Sequence, residues 1–153
     1  MIFFILFKIK KTKKVEKVEL LQLLKEHELK VTPQRLCVLK ILKRHEHPNI
    51  DELYAEIKQE YPSISLATVY KNINTLQQQG LVVEVNVANQ KTCYDIYEQE
   101  HIHIICNKCG HIEDMSFKDA KLDEYQEGLE KKLGNRVKQL ALCVHTSSCS
   151  KCQ

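Results

Sequence analysis

The chain has 153 residues, of which 43% are hydrophobic and 28% charged, with seven cysteines and a formal net charge of +3. This is the composition of a soluble globular chain with room for one domain or two small ones, and units of about 60 residues bury so little surface that a metal or a partner subunit is an expected supplement. The charge is uneven: residues 1–14 carry +5, whereas residues 15–84 and 85–153 carry −1 each. Bulk charge therefore gives no evidence of nucleic-acid binding by the folded part, and any such case must rest on fold and on particular side chains.

The first fourteen residues, MIFFILFKIKKTKK, place an apolar run at Ile2 to Phe7 ahead of the positive charge. A secretory signal has the reverse order, and the run is far short of the roughly 20 residues that cross a bilayer. A disordered basic tail is expected at 1–14, with no membrane association and a cytoplasmic location.

Val15 to Lys30 carries Val18, Leu21 and Leu24 at helical spacing. Thr32 before Pro33 reads as a cap followed by a proline at the first helical position, and Leu36, Val38, Leu39, Ile41 and Leu42 make the following helix apolar nearly all round, hence buried. Asn49 can cap a third helix with Leu53 and Ile57 inward, ending at Tyr61-Pro62. Ser65 can cap a fourth, with Leu66, Val69, Ile73 and Leu76 toward the core and Gly80 at its left-handed end. Two strand-like runs, Leu81 to Val87 and Lys91 to Ile96, flank the turn Ala88-Asn89-Gln90. Helices followed by such a hairpin match a winged helix-turn-helix. The fourth helix would then be the reading head, with Thr68, Tyr70 and Lys71 free to meet base edges and phosphates; many bundle helices also expose a Tyr and a Lys.

The second half is a different unit. His101 to Ile105 reads as a strand, Ile112 to Phe117 as its return, and Leu122, Tyr125, Leu129 and Leu133 as one stripe of a helix ending at Gly134. Val137 to Val144 is largely apolar and is expected as a strand buried on both faces or at a subunit interface. Cys37 and Cys143 lie in apolar runs and are expected in the core. A small sheet with one helix does not cover itself, so a homodimer is expected. The fold class is thus α+β: a winged-helix domain at 15–94, a hinge at 95–100 and a small α/β dimerisation domain at 101–153.

Two Cys-x-x-Cys pairs, Cys106/Cys109 and Cys149/Cys152, predict a closed four-thiolate site for structural zinc. Two disulfides would need an oxidising compartment, and a thioredoxin-like pair does not call for a second pair. A second constellation is more diffuse. His101 and His103 are two apart on a strand and so share a face, with Asp114 on the return strand, Asp95 at the end of the hairpin and His47 before the third helix. This nitrogen and oxygen set suits iron(II), manganese(II) or zinc, although a polar strand face would look the same.

TPQR at Thr32 to Arg35, HPNIDELY at His47 to Tyr54, SLATVYKNINTL at Ser65 to Leu76, HIHIICNKCG at His101 to Gly110 and the Cys149/Cys152 pair together resemble the ferric uptake regulator family, in the family's order over about residues 18 to 152. The resemblance implies a non-enzymatic, dimeric, metal-dependent repressor that binds a palindromic operator in double-stranded DNA. It implies Cys106, Cys109, Cys149 and Cys152 as structural zinc ligands and His47, Asp95, His101, His103 and Asp114 as a regulatory site for iron(II) or manganese(II). Tyr70 and Lys71 fall where the family places DNA contacts; Lys71 is often Arg there, and lysine replaces a fork with a point charge.

Within that family the residues are similar to the peroxide-sensing branch: iron-uptake members usually carry Glu where this chain has Asp95, and His-His-Asp-His where it has Glu100-His101-Ile102-His103. The branch implies oxidation of His47 or His101 by peroxide at bound iron, metal loss and operator release. Iron-uptake and zinc-uptake repressors are the alternatives inside the family; a zinc-containing thiol oxidoreductase and a metal buffer that does not bind DNA lie outside it.

Overall fold

The computed structural model describes residues 17–44 and 46–152; the tail expected at 1–14 lies outside them. The chain divides into two compact units, one taking in the residues up to Val83 together with Tyr94–Ile96, the other Glu84–Cys93 and Tyr97–Gln153. No helix among the described residues is long and apolar enough to cross a membrane.

The first unit is built from locally specified helices. The described part of α1 covers residues 17–26. Helix α2, Pro33–Leu42, starts where Thr32 Oγ1 accepts the Arg35 N–H, and it buries Cys37, Val38, Leu39, Ile41 and Leu42. Helix α3, Ile50–Glu60, opens with a full capping box: Asn49 Oδ1 accepts from the Asp51 and Glu52 N–H groups while Glu52 accepts from the Asn49 N–H. Helix α4, Leu66–Gln78, is capped by Ser65, whose Oγ accepts the Thr68 N–H, and buries Val69, Ile73 and Leu76. It ends on Gly80 at φ 74°, with Leu81 N–H to Leu76 O and Gly80 N–H to Gln77 O, the paired bonds that only a left-handed residue closes cheaply. Leu66 departs from the expected core stripe: it is exposed at the helix's first turn.

Helix α2 packs on α3 and α4, and the core of this unit runs from Leu20 and Leu24 through Leu39, Leu42, Leu53, Ile57 and Ile73 to Leu81, Tyr94 and Ile96. Strands β1, Val82–Val85, and β2, Cys93–Ile96, pair in a two-stranded sheet. The bond from the Tyr94 N–H to Pro48 O ties β2 to the loop ahead of α3.

The hairpin does not belong wholly to the first unit, as a domain at 15–94 would have it. Its distal part groups with the second because Val85 and Val87 are buried with Ile105 and Ile112, packing that strand periodicity does not reveal. Asp95, expected in a hinge at 95–100, is fully buried on β2 in the first unit.

The second unit carries a three-stranded sheet in the order β4-β3-β5. Strand β3, His101–Cys106, is central and largely buried; β4, Ile112–Ser116, runs antiparallel to it with His103 opposite Asp114. Helix α5, Asp123–Leu133, closed by Gly134 at φ 64°, crosses over to β5, Cys143–Thr146, which runs parallel to β3 with Cys143 opposite His103. The strand expected over Val137 to Val144 is thus shorter and later. It is also exposed rather than buried on both faces, and Cys143 is exposed rather than in the core, because β5 is an edge strand. Helix α5 has no buried residue, and Tyr125 and Leu133 stand 55% and 66% exposed.

Removing the Ser65 cap (Ser65→Ala) should cost about 1 kcal/mol and Ile73→Ala, which empties a fully buried site, about 2–5 kcal/mol; urea unfolding of the first unit checks both. Burial, with the Glu60 carboxylate beside it, pushes the Cys37 thiol up to about 11. Cys37 should therefore resist alkylation at pH 8 in the folded chain and react once urea opens α2, as peptide mass spectrometry would show.

Candidate metal centres

The thiol cluster is assembled by β3 and β5. Strand β3 ends at Cys106, and the turn to Cys109 is fixed by the Gly110 N–H to Cys106 O (2.7 Å) and the Cys106 N–H to His111 O (2.9 Å), with Gly110 at φ 74°. Beyond β5 the chain turns again, Cys152 N–H bonding to Cys149 O at 3.1 Å. The two turns are clamped by the Asn107 N–H to Thr146 O and by Lys108 Nζ to Cys152 O at 2.7 Å. His145 Nδ1 meets Asn107 Oδ1 at 3.0 Å, so His145 buttresses the knuckle and lies outside the sulfur set.

The sulfurs test for a metal directly. Cys106 and Cys152 lie 3.5 Å apart, Cys109 and Cys149 3.6 Å, Cys149 and Cys152 3.7 Å, and all four Sγ atoms fall within 4.8 Å of one another. A tetrahedron with zinc–sulfur arms of about 2.3 Å has edges of about 3.8 Å, so the spacing fits zinc. The cysteines are unpaired in the structure, and these three separations are well beyond an S–S bond of about 2.05 Å. Burial raises the Cys106 thiol, but the Cys109 and Lys108 N–H groups and the Cys152 thiol outweigh it and bring it down to about 6. The His111 N–H lowers Cys109, but burial and the three neighbouring sulfurs push it up to about 12. Neighbouring thiolates oppose one another's ionisation, a conflict that a divalent cation at their centre relieves.

The nitrogen and oxygen donors fall into two sets, one in each unit. In the first, His47 and Asp95 are 7% and 0% exposed, with His47 Nε2 4.0 Å from Asp95 Oδ2. His47 sits at φ 49°, a conformation non-glycine residues seldom take and one that clusters at functional positions. In the second, His101 and His103 meet through their Nε2 atoms at 3.2 Å, and His103 Nε2 is 3.7 Å from Asp114 Oδ1. His101 Nδ1 lies 2.8 Å from Gln99 O. A carbonyl only accepts, so Nδ1 is the donor to Gln99, and Nε2 is the ring nitrogen that faces His103. Two ligand nitrogens on arms of about 2.1 Å sit about 3.0–3.4 Å apart, so the 3.2 Å spacing of this pair suits a shared metal as well as it suits a hydrogen bond. The Gln99 carbonyl carries no side-chain signal, and nothing in the sequence could have found it.

On α4, Thr68, Tyr70 and Lys71 are exposed, opposite the buried Val69, Ile73 and Leu76. Asn72 and Thr75 turn their side chains back to the Thr68 and Lys71 carbonyls. The Thr68 hydroxyl shares a 2.8 Å bond with Ser65 Oγ.

Comparison with known proteins agrees with this geometry. The chain is 33% identical over 105 residues, 68% of its own length and 69% of the relative's, to the peroxide-responsive repressor of Staphylococcus epidermidis. It is 78% identical to the Campylobacter jejuni peroxide stress regulator, whose crystal structure it matches with a TM-score of 0.75 over 87% of this chain and 98% of that one. The Helicobacter pylori ferric uptake regulator, a structure with three functional metal-binding sites, is 25% identical with a TM-score of 0.65 over 92% and 93% of the two chains. The Vibrio cholerae ferric uptake regulator is 27% identical with a TM-score of 0.58 over 84% and 98%. The Vibrio cholerae structure is one in which the DNA-binding domains are rearranged. The model of the ferric uptake regulator family matches residues 26–145, and the chain belongs to that family.

Proposed function

We propose that the chain is a metal-dependent transcriptional repressor that senses hydrogen peroxide. The observation that carries this reading is the 78% identity to a peroxide stress regulator over 98% of that chain, together with a donor set of imidazole and carboxylate separate from the four thiols. Cys106, Cys109, Cys149 and Cys152 would hold structural zinc, for which their spacing is suited. His47 and Asp95 of the first unit and His101, His103 and Asp114 of the second would hold one regulatory iron(II) or manganese(II). Nitrogen and oxygen donors of this kind match those metals.

Family members are dimeric DNA-binding regulators, and we infer a two-fold homodimer built on α5 and β5, whose Tyr125, Leu133 and Val144 are exposed apolar groups. Its paired α4 helices would read a palindromic operator through Thr68, Tyr70 and Lys71. A reducing cytoplasm, which keeps seven free thiols from pairing, is the compartment that suits this chain.

Ligands drawn from both units make the metal-filled state a conformational choice. Moving such an equilibrium from mostly open to mostly closed takes about 5.5 kcal/mol of differential binding, within the range of metal ligation. Iron(II) held by these residues would catalyse cleavage of the peroxide O–O bond with no net electron change of its own, both electrons coming from the imidazole. The net change places one peroxide oxygen on an imidazole C–H of His47 or His101 and leaves water. For His101 the Gln99 carbonyl holds the ring in place, so its loss as a donor cannot be offset by reorientation.

Peptide mass spectrometry tests this on the dimer loaded with iron(II) or manganese(II) and treated with peroxide. An added oxygen on the His47 or His101 peptide with iron only, alongside operator release, is the expected result. Unmodified histidines with DNA binding that simply follows free metal would move the assignment to an iron-uptake or zinc-uptake repressor. His101→Ala should abolish regulatory metal binding while zinc content stays at the unaltered level, read by metal analysis. Lys71→Ala should weaken operator binding and lower the salt slope by about 1; an unchanged slope would remove Lys71 from the interface.

A further inference from the structure

The hairpin between β1 and β2 has an unusual allegiance. Val85 and Val87 are buried in one cluster with Ile105 and Ile112, with Cys93 packed against it. The turn beyond them is held by the Gln90 N–H to Val87 O at 3.2 Å and the Thr92 hydroxyl to Asn86 Oδ1 at 3.0 Å, with Asn89 left-handed at φ 61°. Its Gln90 side chain lies over the residue that closes the first zinc turn. The amide end of Gln90 lies where a Cβ on Gly110 would stand, so it packs directly on the bare glycine backbone, whose φ of 74° favours glycine in any case. A cleft of about 260 Å³ is lined by Ala88, Asn89 and Gln90 on one side and by Asn107, Lys108 and Cys109 on the other. On this side of the knuckle Cys106 is 1% exposed.

A wing that serves DNA would offer its tip to phosphates, with cationic and polar groups on a free loop. This tip offers one lysine among residues 86–92, and its apolar flanks are spent inside the second unit. We infer that the hairpin tip serves the zinc knuckle and not DNA: Val85, Val87 and Gln90 brace the Cys106–Cys109 turn in its metal-binding shape and slow the release of structural zinc. Escape of a tetrahedrally held ion needs a thiolate turn to open, and opening is rarer where buried contacts cover the turn. The hairpin is thereby a positioning element for the metal, acting through Gly110 and Ile105 and not as a ligand.

The inference rests on the four-thiolate zinc reading, and the experiment separates the two. Zinc content of the purified, unaltered dimer comes first; absence of zinc overturns both. With zinc present, its release into a chromophoric chelator is timed for the unaltered protein, for Val87→Ser and for the milder Gln90→Ala, alongside hydrogen exchange at residues 86–92. Release faster by about 5- to 30-fold with rising exchange at the tip is expected. Operator binding of Lys91→Gln is then followed against salt, and an unchanged slope is expected. Release rates of folded variants indistinguishable from the unaltered protein overturn the inference and leave the zinc site standing. A slope lower by about 1 for Lys91→Gln returns the tip to DNA and overturns it as well.

Discussion

The second unit gathers four thiols at one point, all within 4.8 Å of one another, where the end of β3 meets the chain beyond β5. Three short strands and a helix with no buried residue have too little apolar interior to close by themselves. Phe117, Ile105 and Ile112 supply a small core on β3 and its return, but β5 adds little burial of its own. Beside its parallel ladder with β3, β5 is tied at its end, where the Asn107 and Lys108 bonds join the two Cys-x-x-Cys turns. Because β3 also carries His101 and His103, the register that brings sulfurs together at one end of the strand fixes imidazoles at the other. The thiol cluster and the imidazole pair thus share one strand.

The two units were unequally legible in the sequence, for a physical reason. Caps are local: Thr32, Asn49 and Ser65 each satisfy backbone donors within three residues, and Gly80 closes its helix within five, so their meaning is carried by neighbours in the chain. The four cysteines were legible because metal geometry constrains spacing. The allegiance of the hairpin tip was hidden, since Val85 and Val87 alternate as any strand would and their partners lie some twenty residues away. Cys143 looked like core because it stands in an apolar run, yet an apolar run on an edge strand faces outward until something covers it.

The donor sets show how the two kinds of information combine. Spacing placed His101 and His103 on one face, and register added Asp114 directly opposite His103. Neither reveals which ring nitrogen is available; that depends on the Gln99 carbonyl, a main-chain atom with no identity in sequence. For His47 and Asp95, the link is again main chain, the Tyr94 N–H on Pro48 O, which brings the loop before α3 against β2. Residue types announced the chemistry, and backbone bonds aimed it.

The bare apolar face of α5 and the open edge of β5 carry a consequence for control. A protomer that leaves Tyr125, Leu133 and Val144 in water would gain stability from a twin that covered them, as in the proposed dimer. Assembly and folding of that half are then coupled by mass action, and the pool of competent reader falls faster than total protein as the chain becomes scarce. For the dimer proposed above, DNA occupancy would vary more steeply than linearly with protomer concentration, so expression level would act as an input of its own beside the metal.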